Sequence, residues 1–360
     1  MKSSIFLTIG VLGAMLPAFG NISYTCDPSV DATQAGTCAY LNSITAGLYN
    51  STFSNANANI YITMGTTGLG ESQQYYNYMS YANYRSALIT DSSGDAVDNG
   101  ATASLPSSEP GLYSGGQVEI TGAIGQALCT AVGATQCATD GITSGVGGDL
   151  TGITSTGASC HLGTAGCYNG LITVTTPANL SSETGGTQGL YWNQQGGSQP
   201  SNDYDFYSIV EHESDEILGT SSCISTGGAS LADSCGGSDP SAVDLFRYNA
   251  GALVLKSTTT GAYFSYNGGV SNGVANGAVY NTLSNGDDYA DFAANCSNVQ
   301  DATGCPGADL DITTDGGAEK NILDAVGFNL ASTATPEPAT FGLLGASLLA
   351  LGFARARRKK

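Results

Sequence analysis

Apolar segments lie at both ends of the chain and limit the part that can fold as a globular body. Lys2 precedes an apolar stretch at residues 5–16, which small residues follow, the pattern of a secretory signal peptide. An uncharged stretch at residues 339–354 precedes five of the ten basic residues of the chain. It is shorter than the roughly 20 residues that span a bilayer. We therefore predict a signal peptide at 1–20 and a folded domain at 21–335.

The C-terminal segment, residues 336–360, has three parts in a fixed order. Pro336-Glu337-Pro338 comes first, the apolar stretch second and an Arg- and Lys-rich end last. This order resembles the PEP-CTERM sorting signal of Gram-negative bacteria. The resemblance implies export through the inner membrane, transient membrane contact through the apolar helix, recognition by an exosortase, and a final place at the cell surface or outside the cell. An ordinary transmembrane tail anchor is the alternative, because it also joins an apolar span to basic residues.

The folded domain is strongly acidic. The chain has 30 acidic and ten basic residues, and six of the basic ones lie in the terminal segments. Arg85, Arg247, Lys256 and Lys320 are the basic residues that remain. Such a domain repels phosphates, which argues against nucleic acid as a partner, whereas it is compatible with divalent cations.

Ten cysteines lie in the exported domain and fall into five close couples along the sequence. An exported protein reaches an oxidising compartment, where cysteines pair, and near neighbours lose least entropy on pairing. We therefore predict five sequential disulfides. The predicted pairs are Cys26–Cys38, Cys129–Cys137, Cys160–Cys167, Cys223–Cys235 and Cys296–Cys305.

The pattern of apolar residues predicts an α+β fold with many turns, since the chain contains 50 glycines. Residues 58–65 and 171–175 read as strands. Residues 117–120 read as a strand that runs into a helix. Residues 75–88 carry Tyr, Met and Ala at helical spacing and predict a helix.

Residues 199–219 predict the helix that carries the chemistry. Ser201 or Asn202 can cap its N-terminus, and Gly219 is placed to end it in a left-handed turn. His212 and Glu216 are four residues apart and therefore project from the same side. An acidic, exposed helix with an incidental histidine is the alternative interpretation.

The segment reads H-E-x-x-E, with Glu213 directly after His212. In the related H-E-x-x-H motif, two ligands one helical turn apart bind zinc and the carboxylate between them serves as general base. A carboxylate binds zinc at a distance similar to that of imidazole. The spacing therefore indicates His212 and Glu216 as zinc ligands and Glu213 as the catalytic residue.

The stretch HESDEILG resembles the H-E-x-x-E segment of a PEP-CTERM-bearing group of proteins that are predicted to be metalloproteases. Four further segments of the chain agree with that group in order: 244–248, 262–269, 286–291 and 323–328. The resemblance implies a zincin-like fold, in which a small mixed sheet lies beside an active-site helix with many Gly-rich loops. It implies a zinc cofactor and a peptide or protein substrate.

The sequence leaves the third zinc ligand open. Asp233, Asp239 and Asp244 follow the helix and are candidates, and His161 is the other histidine of the chain. One histidine with two carboxylates would neutralise the zinc charge and weaken its pull on water. Two functional classes therefore stay open, a secreted zinc metallopeptidase and a non-catalytic surface or matrix protein that retains a zincin scaffold.

Two further groups of aspartates lie near Gly-rich turns, where carboxylate oxygens suit calcium. The first group is Asp287, Asp288 and Asp291, and the second is Asp309, Asp311 and Asp315. Neither has the spacing of an EF-hand loop. Structural calcium and solvated turn aspartates are the two interpretations.

Overall fold

A mixed four-stranded sheet organises the domain in the computed structural model of the chain. The structure describes residues 20–111, 115–132, 150–224, 235, 239–256, 259–270, 279–282, 288–313 and 317–331. Residues 19–330 form one compact unit. The predicted signal peptide and the predicted sorting segment lie outside the described residues, apart from residue 20. No helix among the described residues is long and apolar enough to span a membrane.

Short helices and strands alternate along the described chain. The helices are α1 (Pro28–Thr33), α2 (Thr37–Tyr40), α3 (Ala46–Thr52), α4 (Tyr81–Asp91), α5 (Ala96–Ser104), α6 (Gly122–Val132), α7 (Pro177–Thr184), α8 (Phe206–Asp215) and α9 (Ala318–Val326). Wide π-type turns occupy Leu41–Thr45 and Glu216–Thr220, and 3₁₀ turns occupy Asn193–Gln195 and Val243–Phe246.

The strands are equally short. They are β1 (Asn21–Cys26), β2 (Asn57–Gly65), β3 (Gly70–Gln73), β4 (Tyr76–Ser80), β5 (Gln117–Thr121), β6 (Thr151–Thr154), β7 (Ser159–His161), β8 (Cys167–Tyr168), β9 (Gly170–Thr175), β10 (Leu190–Tyr191), β11 (Tyr204–Asp205), β12 (Arg247–Asn249), β13 (Ala252–Leu253) and β14 (Tyr263–Phe264). Together with the helices they confirm the α+β class.

The main sheet has the strand order β1-β2-β9-β3. Strands β1, β2 and β9 are parallel, and β3 runs antiparallel to β9 at one edge. Along β2, Ala58, Ile60 and Ile62 are buried and alternate with more exposed residues, which is the period of two that a strand requires. The predicted strands at 58–65 and 171–175 are confirmed. Helix α8 packs against β3 and β9 and lies beside this edge.

The predicted helix at residues 75–88 is wrong in its first half. Strand β4 occupies Tyr76–Ser80 and pairs with β5, and its Asn77 and Met79 are buried while Tyr78 is exposed. Helix α4 begins only at Tyr81, because the Ser80 side chain accepts a hydrogen bond from Asn83 N and caps the helix. Long-range pairing with β5 therefore overrides the helical spacing. The strand-to-helix prediction after residue 117 is confirmed by β5 and α6.

Disulfides join near neighbours in sequence, as predicted. Four of the predicted pairs are present: Cys26–Cys38, Cys160–Cys167, Cys223–Cys235 and Cys296–Cys305. The fifth, Cys129–Cys137, includes a residue outside the described part of the chain. Each bridge closes a short loop, so each restricts the unfolded chain only locally.

Candidate metal centre

Helix α8 begins later than the sequence indicates. Its N-cap is Asp205, whose carboxylate accepts a hydrogen bond from Ser208 N at 2.7 Å. Ser201 and Asn202 precede β11 in a turn and do not cap the helix, so that prediction is wrong. The strand pairing of β11 with β10 holds residues 204–205 extended, which leaves Asp205 as the residue that can cap.

The helix ends in the wide turn Glu216–Thr220. Gly219 within it has a φ of 147°, where a side chain is rarely tolerated, so the predicted terminating role of this glycine is confirmed. Ile217 is fully buried and packs where Gly170 of β9 has no side chain. The turn is therefore fixed on the main sheet, and with it the position of Glu216.

His212 is oriented by a backbone contact. Its Nδ1 lies 2.9 Å from the carbonyl oxygen of Val299, and because a carbonyl only accepts, Nδ1 carries the proton. When the ring is neutral, Nε2 is the unprotonated nitrogen, and it lies 3.6 Å from Glu216 Oε1 and 3.7 Å from Asp291 Oδ1. This tautomer leaves a lone pair directed toward two carboxylates, the arrangement of a metal-binding histidine.

The spacing of the three side chains fits a single ion. One ligand atom each of His212, Glu216 and Asp291 lies within 4.8 Å of the other two. Two tetrahedral ligands about 2.1 Å from zinc are roughly 3.4 Å apart, close to the 3.6 and 3.7 Å measured from Nε2. The side chains are partly to fully buried, and one nitrogen with two carboxylates is a donor set that zinc accepts.

Asp291 is a site residue that sequence reasoning did not assign to zinc. It belongs to the first of the two aspartate groups, and its Oδ1 accepts a hydrogen bond from Gln300 Nε2 at 3.3 Å. Of the sequence-based candidates, Asp239, Asp244 and His161 do not join the site among the described residues. Asp244 accepts hydrogen bonds from the Ser222 and Ser241 side chains and from backbone N–H groups. The sequence signals for Asp291 were its place in that aspartate group and in the 286–291 segment.

The other candidate ligands lie elsewhere or outside the described residues. Asp239 accepts a hydrogen bond from Gln117 N at 3.2 Å. His161 is exposed on β7, and Asp233 is not among the described residues. Neither Asp239 nor His161 belongs to a group of metal-ligating side chains in the described part of the chain.

The two aspartate groups predicted for calcium do not form clusters among the described residues. The Asp288 carboxylate accepts hydrogen bonds from the backbone N–H groups of Ser222 and Ala290. Asp291 Oδ1 lies 3.7 Å from His212 Nε2. Asp311 holds the turn at Thr313. Asp309 accepts a hydrogen bond from Asn193 Nδ2 at 3.3 Å, and the remaining members, Asp287 and Asp315, lie outside the described residues.

Glu213 lies beside the three-residue cluster and against the edge strand. It is 6% exposed, and a Cβ on Gly70 would lie 2.9 Å from its carboxyl carbon. The glycine at this point of β3 thus leaves the space that the Glu213 carboxyl fills. The next strand residue on the same side, Ser72, donates a hydrogen bond from its hydroxyl to Glu216 Oε2.

The site carries excess negative charge. Burial raises the pKa of Glu213 well above its usual value, and the charges of Glu216 and Asp291 raise it further, against the effect of His212. Burial likewise raises the pKa of Asp291, and that of Asp288 to about 8. For His212 burial lowers the pKa, but the surrounding carboxylates outweigh it and raise the pKa well above the usual value. Crowded buried carboxylates of this kind are stabilised by a cation.

A cleft of about 1080 Å³ opens over these residues. One wall is the edge strand with its flanks, residues 68–74, and another is formed by residues 301–305. His212, Glu213 and Glu216 line the cleft between them. Its size suits a ligand larger than a single ion, since ligand sites span about 300–1,000 Å³.

The buried side of α8 is tied to the first strands and helices. The Tyr49 hydroxyl donates to Asp215 Oδ1 at 2.7 Å, and Tyr24 and Ser214 share a hydrogen bond of 2.9 Å. Glu211 accepts from Ile312 N at 3.1 Å. These contacts limit rotation of the helix, so His212 and Glu216 keep their direction into the cleft.

Comparison with known proteins identifies the C-terminal segment. Residues 334–359 match the family model described as the PEP-CTERM protein-sorting motif. Neither curated proteins nor solved structures returned a match to the chain. The motif implies recognition by an exosortase and supports export to the cell surface or the extracellular space. The chain therefore carries a PEP-CTERM sorting signal at residues 334–359, near its C-terminus.

Proposed function

We propose that this protein is an exported, surface-sorted zinc-dependent peptidase with a zincin-like site. His212, Glu216 and Asp291 are the zinc ligands of this proposal and Glu213 is its general base. The observation that carries it is the direction of His212 Nε2, which faces both carboxylates at 3.6 and 3.7 Å beside a buried Glu213.

Zinc and Glu213 have separate roles in this proposal. Zinc, when bound, supplies a Lewis acid that activates water and polarises a carbonyl. Glu213 accepts the proton of the attacking water and returns it to the leaving amine, the task of a general acid–base residue. Burial and neighbouring carboxylates raise the pKa of Glu213. A cation that offsets those charges lowers this pKa again.

The edge strand suggests a peptide as substrate. Strand β3 pairs with β9 on one side, and in the described residues no strand pairs with its other side. Residues 68–74 line the cleft, so their free backbone groups can pair with an extended peptide. Such a peptide would pass over Glu213 and Glu216.

The test of this proposal compares Glu213→Gln with the wild type. We expect Glu213→Gln to retain zinc, because the amide keeps the size of the side chain, and to lose at least about 100-fold in kcat on a mixed peptide library. Glu183→Gln, on the exposed side of α7, should behave as the wild type. Unchanged cleavage by Glu213→Gln, or no zinc in the dialysed wild type, contradicts the proposal.

A non-catalytic surface protein is the second candidate. Two carboxylates among three ligands neutralise the charge of zinc, so its pull on water is weaker than with three histidines. If this candidate is correct, the wild type binds zinc and His212→Ala does not. Neither protein cleaves a library peptide, and a chelator changes only the stability of the wild type. Peptide cleavage that disappears with chelation excludes this candidate.

The sorting motif has its own test. Removing residues 336–360 should send the domain to the medium without a membrane-bound precursor, because the segment that contacts the membrane is absent. Cell fractionation after a short labelling period measures this. Identical processing of truncated and complete chains would show that the segment does not direct sorting.

A further inference from the structure

A second cluster of carboxylates lies where helix α5 meets helix α9. It consists of Asp95, Asp98 and Asp324, and one carboxylate oxygen of each lies within 4.8 Å of the others. Asp95 is the N-cap of α5, Asp98 lies in its first turn, and Asp324 lies near the end of α9. The site at His212 does not include any of these residues.

Each carboxylate is fixed by hydrogen bonds, and Asp95 is held through both oxygens because its Oδ2 accepts from Ser93 Oγ at 3.1 Å. Asp95 Oδ1 accepts from Val97 N and Asp98 N at 2.8 and 3.0 Å. Asp98 Oδ2 accepts from Ser93 N at 2.6 Å, and Asp324 Oδ1 accepts from the backbone of residue 330 at 3.2 Å. The three side chains are thus preorganised, and they cannot turn away from one another without losing backbone hydrogen bonds.

Asp324 has an oxygen with no donor. Its side chain is fully buried at 0% exposure. Oδ2 has no N–H or hydroxyl donor, and the Asp95 carboxyl beside it can only share a proton with Asp324. A buried carboxylate oxygen without a donor lowers the stability of the folded protein. Two further carboxylates beside it add repulsion. Burial, together with the charges of Asp98 and Asp95, raises the pKa of Asp324 to about 9.

Among the described residues, no basic side chain forms an ion pair with these carboxylates. The ion pairs in the described part of the chain both involve His212. The disulfides that the structure describes also lie elsewhere, within residues 26–38, 160–167, 223–235 and 296–305. Within the described part of the chain, neither an ion pair nor a disulfide therefore reinforces the contact between α5 and α9.

We infer that Asp95, Asp98 and Asp324 bind a structural calcium ion that joins α5 to α9. The donors are all carboxylate oxygens, the ligands that calcium prefers. Magnesium demands a near-ideal octahedron, which side chains held by backbone hydrogen bonds are poorly able to form, whereas calcium accepts irregular geometry. Asp95 is partly exposed, so the ion has a path from solvent.

The test measures the melting temperature of the complete purified chain with chelator and with about 5 mM calcium chloride. For a dissociation constant near 10⁻⁴ M we expect calcium to raise Tm by roughly 3–5 °C. Asp324→Asn should lose this rise and should melt above the wild type in chelator, because it removes the buried repulsion. Asp98→Asn is the second variant with the same expectation.

Two controls separate this site from others. Asp291→Asn should keep the full calcium-dependent rise, because it lies in the other cluster. Magnesium chloride at the same concentration should give less than half of the rise. An equal rise in Asp324→Asn, an equal effect of magnesium, or no rise in the wild type would overturn the assignment, the last indicating a shared proton in place of an ion.

Discussion

Replacing Asp291 by Asn tests the part of the proposed zinc site that only the structure indicated. The change keeps the size of the side chain but removes one of two charged ligands around His212 Nε2. It also removes a buried carboxyl whose pKa is raised by burial and by Glu216. We therefore expect two opposite effects, weaker zinc binding and a more stable metal-free protein above neutral pH.

The size of the zinc effect follows from mass action. Zinc at 100 times its dissociation constant stabilises a folded protein by about 2.7 kcal/mol. A unit of roughly 300 residues, 19–330, unfolds with an entropy of about 0.6 kcal/mol/K, so Tm rises by about 4 °C. If the dissociation constant increases about 100-fold in Asp291→Asn, the same zinc concentration raises Tm by less than about 1 °C.

The assay is a thermal melt at pH 8 with and without zinc, supported by mass spectrometry of bound metal after dialysis. Asp239→Asn is the matched control, because Asp239 is buried but accepts from Gln117 N away from His212. It should show the wild-type zinc shift. If zinc raised the Tm of Asp291→Asn as much as that of the wild type, Asp291 would not be a zinc ligand. Its place near His212 would then reflect charge attraction alone.

Three further predictions follow from single features of the fold. Gly70→Ala places a methyl group against the Glu213 carboxyl and should lower kcat by about 10- to 100-fold at unchanged zinc content; full activity would contradict this contact. Burial raises the pKa of Glu119 to about 7, so this residue should contribute a fall of about 3 kcal/mol in the free energy of unfolding as pH rises from 4.5 through 7. Other buried carboxyls such as Asp288 add to the slope, so Glu119→Gln should make it shallower in urea titrations without removing it, and an unchanged slope would refute the prediction. Peptide mapping without reduction should link Cys129 to Cys137, and a link from Cys129 to any other cysteine would count against sequential pairing.

The metal-binding helix illustrates which errors sequence reasoning makes. The His212 and Glu216 pair was predictable because a helix places residues four apart on one side, whatever lies around it. The start of the helix was not, because the pairing of β10 with β11 moved the cap from Ser201 or Asn202 to Asp205. The same physical cause, pairing with a distant strand, turned residues 76–80 from helix into strand.

By itself, the sequence determined the features that depend on near neighbours: the four described disulfides, the spacing of the H-E-x-x-E residues, the terminating Gly219 and the C-terminal sorting motif. Tertiary structure decided which distant residues contact these features. Asp291 as the third side chain, the Val299 carbonyl that sets the His212 tautomer, and the edge strand at Gly70 all reach the site from distant parts of the chain. The physical reason is that helical periodicity and short loop closure act within a few residues, whereas these contacts exist only after the sheet has formed and α8 has packed on its edge.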